Sequence, residues 1–176
     1  MSVWRTGLKM GLFVVPVTFT FTDVIASLSQ VVGVSMQPLL NPDYDKGKTD
    51  WVLQNRMAVA NHNLNRGDIV TFITPYDPKQ LAVKRIIGLQ GDSVRSKKDR
   101  HVRTMVPVNH VWVEGDNSEY SHDSNNYGPI SMSLITSKAT HVVWPPSRWQ
   151  KLDSVEINSD RVLKNIHDRT CKNSPF

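Results

Sequence analysis

The chain is nearly devoid of cysteine: Cys171 stands alone among 176 residues, which excludes an intrachain disulfide from the fold. No local pattern accompanies it, so thiol catalysis has no footing either. Aromatic residues are scarce at 8%, and acidic residues are outnumbered 16 to 21 by Lys and Arg, for a net charge of +5. The densest basic run, RSKKDRHVR at 95–103, has no interleaved rings on which bases would stack, which argues against a nucleic-acid partner and for a solvated hairpin. Contact of that run with anionic lipid stays open. A second basic group, 161–172, reads as a partly helical polar tail. No GxSxG motif, metal-ligand spacing, internal repeat or low-complexity segment occurs, so neither a metal nor a cofactor is called for. With 39% apolar residues, the length fits one globular domain plus a short appendage.

Long hydrophobic runs are also missing, with one exception. Residues 10–22, MGLFVVPVTFTFT, carry no charge, and VIASLSQVVGV follows Asp23. Thirteen residues are short for a membrane span, which takes about 20. If Asp23 is tolerated, 10–34 makes a helix of roughly 37 Å at 1.5 Å per residue. Arg5 and Lys9 precede it, and the positive-inside rule then translocates everything after the span. A cleaved secretory signal, with Ser27-Leu28-Ser29 as its cut site, and a buried first helix are the alternatives.

Beyond Val34 the pattern is one of strands. WVLQ at 51–54, DIVTFI at 68–73, AVKRIIG at 82–88, HVWVEG at 110–115 and THVVW at 140–144 are rich in β-branched and aromatic residues. Turn clusters such as NPDYDKG, NRGD, TPYDP and QGD separate them, which predicts an all-β body of compact sheets. The RGD at 66–68 reads as a turn into a strand rather than an adhesion tripeptide.

Within VVGVSMQP at 31–38, Ser35 is a candidate nucleophile if the chain supplies a base. Six histidines are present, His62, His101, His110, His122, His141 and His167, and a triad of Ser35 with His110 or His122 and Asp116 stays open. Lys84 is the more interesting group. Strand alternation sets it on one face with Ala82 and Ile86, and Arg85 on the other with Val83 and Ile87. Apolar neighbours desolvate an ammonium and lower its pKa, which makes a lysine competent as a base. A lysine snorkelling at a sheet edge is the structural alternative.

Four blocks, VVGVSMQP at 31–38, RGDIV at 66–70, KRIIGLQGD at 84–92 and GDNSEYSHDSNNYGPIS at 115–131, resemble in order and spacing the type I signal peptidases, membrane-bound Ser-Lys proteases. The resemblance implies a mainly β protein with three parts: a single transmembrane helix in a membrane anchor over 1–30, a compact antiparallel catalytic domain over 31–152, and a polar tail over 153–176. It implies Ser35 as nucleophile, Lys84 as general base, and Ser121 as the hydroxyl that orients the lysine. The backbone N–H of Ser35 would be one oxyanion donor. Gly33 stands where some members carry a second, a serine hydroxyl, and would let the substrate backbone approach. Arg85 would pair with Asp116. Because Asn125 replaces a family arginine, Arg85 is expected to hold Asp123 as well, clamping the Ser121 loop. VNHVWVEGDN at 108–117, DSNNYGP at 123–129 and VVWPPSRWQKL at 142–152 look most like the mitochondrial inner membrane proteases of this family. That likeness implies a catalytic domain in the intermembrane space and contact with inner membrane lipid. It also implies a heterodimer with mitochondrial inner membrane protease subunit 1, and precursors such as cytochrome c1 and membrane glycerol-3-phosphate dehydrogenase as substrates. A non-catalytic scaffold for subunit 1 is one alternative. A self-cleaving repressor is another, but it lacks the DNA-binding domain such a protein would need.

Overall fold

The computed structural model describes Val14 and residues 26–99, 101–157 and 160–165. The strands are β1 (Ala26–Gln30), β2 (Trp51–Asn55), β3 (Ile69–Thr74), β4 (Asp77–Gly88), β5 (Ser93–Arg95), β6 (Arg103–Met105), β7 (His110–Glu114), β8 (Ile130–Ser131), β9 (Ile135–Trp144), β10 (Gln150–Lys151) and β11 (Val162–Leu163). The larger sheet has the order β1-β2-β9-β3-β4-β7-β8, with β10 paired to β9, and the smaller is β11-β5-β6. All pairings are antiparallel, both in the tight β3–β4 hairpin and between strands distant in sequence such as β2 and β9.

Each of the five runs read from the sequence is a strand, and β4 and β9 extend further toward the N-terminus than the runs suggested. Their inner residues build three clusters. Val31, Met36, Leu40, Val52, Ile69, Ala139, Val142 and Leu152 form the first, beneath the loop that carries Ser35. The second contains Val70, Phe72, Ile86, Val111, Val113 and Ile135. Ile87, Val94, Val106, Trp112 and Val162 form the third, between the two sheets. Ala82 packs against the second cluster and Val83 against the first, so the alternation read along β4 holds.

Two boundaries are corrected. Ala26–Gln30 is a strand in register with β2, Ala26 opposite Asn55 and Gln30 opposite Trp51, so a helix running to Val34 is excluded at its C-terminal end. Apart from Val14, the rest of the expected anchor over 1–25 lies outside the described residues, and among those described no helix is long and apolar enough to cross a membrane. Of the polar tail expected over 153–176, residues 158–159 and 166–176 lie outside the described residues, and part of the rest joins the fold. Val162 is buried in the third cluster and β11 pairs with β5, because an apolar residue inside the polar segment has a hydrophobic slot to fill.

The RGD at 66–68 is a turn into β3, as anticipated, and its charged side chains are paired within the domain. Arg66 pairs with buried Asp92 at 2.6 Å. Asp68 pairs with Lys138 at 2.7 Å and accepts from Ser154 Oγ at 2.6 Å. A Cβ at Gly67 would lie 2.1 Å from the carbonyl oxygen of Val155, so the turn is closed by backbone contact.

Candidate active site

Ser35 sits in the loop between β1 and β2, and buried polar groups fix that loop. Asn41, with φ 54°, donates from Nδ2 to the carbonyls of Val31 and Gly33, both at 2.9 Å. Asn41 and Asp50 exchange bonds: Asn41 N donates to Asp50 Oδ2 at 2.7 Å, and Asp50 N donates to Asn41 Oδ1 at 2.7 Å. Arg148 pairs with Asp50 and donates to the Leu39 carbonyl at 2.8 Å. Met36 and Leu40 anchor the loop in the first core cluster. The serine is therefore presented on a backbone that has little freedom.

Lys84 reaches this loop from β4. Its Nζ stands 2.5 Å from Ser35 Oγ and donates to the carbonyl of Val83 at 3.2 Å. The residue is 5% exposed. Burial lowers its pKa, while the charges of Asp123 and Asp116 oppose that fall. Desolvation prevails because the amine has no carboxylate in ion-pair contact among the described residues. Once deprotonated, an amine at hydrogen-bond distance from a hydroxyl is a base in place.

Asp116 is held by Arg85 through two bonds, Nε to Oδ1 at 2.8 Å and Nη2 to Oδ2 at 2.7 Å, and Arg85 Nη1 donates to the Gly67 carbonyl at 2.7 Å. The expected second grip on Asp123 is not made. Asp123 instead accepts from four donors: Gly115 N at 3.0 Å, Ser121 Oγ at 2.6 Å, and Asn125 N and Nδ2 at 3.0 and 2.9 Å. Asn125 thus caps the carboxylate with neutral donors, and no second cation is required.

Ser121 donates to Asp123 rather than meeting Lys84 in a hydrogen bond. Its closeness to the serine loop is set by Gly115. A Cβ there would lie 2.4 Å from Ser121 Oγ and 2.5 Å from the carbonyl oxygen of Ser35. Gly33, with φ +100°, borders the same space, and a Cβ on it would meet nothing within 4 Å. The histidine triad does not assemble. Nδ1 of His110 bonds to the carbonyl of Val108 at 2.9 Å, Nδ1 of His122 to Asn126 Nδ2 at 2.8 Å, and Asp116 is occupied by Arg85.

Asn117 was missed at the sequence level. Its N–H donates to the carbonyl of Ser35 at 3.0 Å and its Nδ2 to that of Val34 at 3.2 Å, lashing the serine loop to the end of β7. Gly115 was missed as well. Both lie in the GDN run that drew attention only for its aspartate, and contiguity with that aspartate was the available signal. A cleft of about 380 Å³ opens over the dyad, bounded by Ser29–Val32 on one side and Gln80–Lys84 on the other, with Tyr76, Tyr120 and His122 at its rim.

The chain matches the family described as "Signal peptidase, peptidase S26" across residues 4–104. It is 47% identical over 168 residues to mitochondrial inner membrane protease subunit 2 of Danio rerio, covering 90% of each chain. To the Homo sapiens protein of that name it is 49% identical over 146 residues, covering 82% of this chain and 83% of that one. Mitochondrial inner membrane protease subunit 1 of Mus musculus is 39% identical over 126 residues, covering 70% of this chain and 72% of that one.

Proposed function

Because the chain belongs to the signal peptidase family, peptidase S26, and is a serine peptidase, we propose that it is a membrane-bound Ser-Lys endopeptidase of the mitochondrial inner membrane. In this reading it spans that membrane once, faces the intermembrane space, and removes hydrophobic sorting presequences. The observation that carries the proposal is the buried Lys84 amine 2.5 Å from Ser35 Oγ.

Neutral Lys84 takes the hydroxyl proton as Ser35 Oγ attacks the scissile carbonyl. The developing oxyanion meets the backbone N–H of Ser35, which has no acceptor among the described residues. Lys84 then returns the proton to the departing amine, leaving an acyl ester on Ser35. A water molecule, deprotonated by the same lysine, attacks the ester and frees the shortened chain. Asp116 and Asp123 stabilise the transient ammonium from a distance, which is the direction in which both act on Lys84.

The cleft supports an extended substrate. β1 pairs only with β2, and β7 joins β4 only from Arg85 onward, so β1 and the first part of β4 each keep an unpaired edge among the described residues. A peptide strand lying between them satisfies both edges and passes over Ser35. Subunit 1 is the proposed partner, since a protein of that name is among the relatives of this chain.

The test uses membranes carrying the wild type, Ser35→Ala, Lys84→Ala or Lys84→Arg, with cytochrome c1 and membrane glycerol-3-phosphate dehydrogenase precursors as candidate substrates. All three variants are expected to abolish cleavage, the arginine included, because a guanidinium does not give up its proton. Wild-type processing by any of them overturns the dyad. Subunit 1 activity measured in the same membranes separates lost catalysis from a lost scaffold.

A further inference from the structure

We propose that the hollow between the β5–β6 hairpin and the segment leading into β11 is a binding site for a phosphate group. The hollow has a volume of about 420 Å³ and is lined by Arg95, Ser96, Lys97 and Arg161. Three cations thus face one space. The sole carboxylate bonded to any of them among the described residues is Glu114, which accepts from Lys97 at 3.1 Å and from Arg161 at 2.7 Å. Two positive charges are left over, the charge of a phosphate monoester with its sign reversed.

Arg95 is the distinctive member. Its Nε is buried and has no hydrogen-bond acceptor, and no ion pair involves its guanidinium among the described residues. A guanidinium presents a planar fork suited to two oxygens of one phosphate, and a buried N–H left without an acceptor is a standing cost that such an anion removes. Main-chain bonds fix the backbone that carries it. Arg95 N donates to the carbonyl of Arg161 at 2.9 Å, and Arg161 Nη2 donates to the carbonyl of Arg95 at 3.1 Å. Lys97 N donates to Asn125 Oδ1 at 2.8 Å, and Ser96 Oγ to the same oxygen at 3.1 Å. Glu114 holds Arg161 and Lys97, and Lys97 Nζ also donates to Ser118 Oγ at 2.7 Å, so two of the three cations are ordered before an anion arrives, which favours binding. Inorganic phosphate and the monoester headgroup of phosphatidic acid present the same chemistry to these side chains.

The experiment uses the full chain in neutral detergent and follows heats of binding during titration with inorganic phosphate, then with short-chain phosphatidic acid, against sodium chloride at matched ionic strength. Saturable binding of at least one phosphate compound is expected, weakened tenfold or more in Arg95→Gln and unchanged in Lys151→Gln, an exposed lysine elsewhere. Tighter binding of phosphatidic acid assigns the site to lipid, and tighter binding of inorganic phosphate assigns it to a free anion. Absence of saturable binding to either, or wild-type affinity in Arg95→Gln, overturns the proposal. Arg95→Lys, which keeps the charge and loses the fork, covers the case in which the glutamine variant does not fold. It too is expected to bind more weakly, and wild-type affinity there is equally fatal.

Discussion

Gly115→Ala adds one methyl group at the most crowded point of the site. The new Cβ would stand 2.4 Å from Ser121 Oγ, 2.7 Å from Ser121 Cβ and 2.5 Å from the carbonyl oxygen of Ser35. An unstrained contact of this kind needs at least about 3.4 Å, so the two oxygens must retreat by roughly 0.9 to 1.0 Å. Neither neighbour is free to do so cheaply: the Ser35 carbonyl accepts from Asn117 N at 3.0 Å, and Ser121 Oγ donates to Asp123 at 2.6 Å. Overpacking of this type costs about 1–3 kcal/mol of stability. Its effect on rate is expected to be larger, since a displacement of about 1 Å between reacting groups costs on the order of a hundredfold. Gly88→Ala is the matched control, because its Cβ would meet Val94 Cγ2 at 2.6 Å in the third cluster, away from the dyad. Thermal melts and kcat/KM on a presequence peptide are measured for both. Gly88→Ala should melt lower and cleave normally, whereas Gly115→Ala should lose about a hundredfold in kcat/KM. Wild-type kcat/KM in Gly115→Ala would refute the claim that this glycine sets the spacing between Ser35 and Ser121.

Four further outcomes are expected. The pH profile of kcat/KM should show an acid limb that reports Lys84, and Asp123→Asn should move that limb to lower pH by removing a charge that favours the ammonium. Because the folded pKa of Lys84 lies below its unfolded value, the unfolded chain binds the extra proton between the two, so stability gains with rising pH across that window. Chemical denaturation of Lys84→Met should lack this gain. Arg85→Ala leaves Asp116 and the Gly67 carbonyl without their donors, and should lower stability by about 3–5 kcal/mol in denaturant melts. Asn41→Ala orphans the carbonyls of Val31 and Gly33, and should cost at least ~1–3 kcal/mol while slowing acylation of Ser35 by an active-site probe.

β2, β3, β4, β7 and β9 were legible because their apolar, β-branched runs are bounded by turn residues, and Lys84 was legible because its neighbours along β4 are apolar. The short strands β5, β6, β8, β10 and β11 carry too few residues for periodicity to register. β11 in particular was read as part of a polar tail, since the sequence around Val162 does not announce the slot beside Val94 that it fills. The Arg85 contact to Asp116 was anticipated and the one to Asp123 was not found. A carboxylate can be satisfied by backbone and amide donors, and the donors at Gly115 and Asn125 become visible only when the loop has closed. Asn41 and Asp50 are further apart in sequence than a local turn motif, so their reciprocal bonds leave no local trace.

Glu114 lies two positions before Asp116 and is 1% exposed. Burial alone would push its carboxyl upward, but hydrogen bonds from Arg161 and Trp112, together with the charges of Arg161 and Lys97, hold it below the usual carboxylate range. Of these partners Arg161 is the last to be synthesised. A ribosome that has delivered every residue of the dyad and its supporting loop has still not delivered the cation that settles this carboxylate, or the Val162 that seals the third cluster. The third cluster and the Glu114 contact therefore wait on the C-terminal segment, and premature termination after Leu152 would release a chain with Ser35, Lys84 and Asp123 all present and an interior left unfinished.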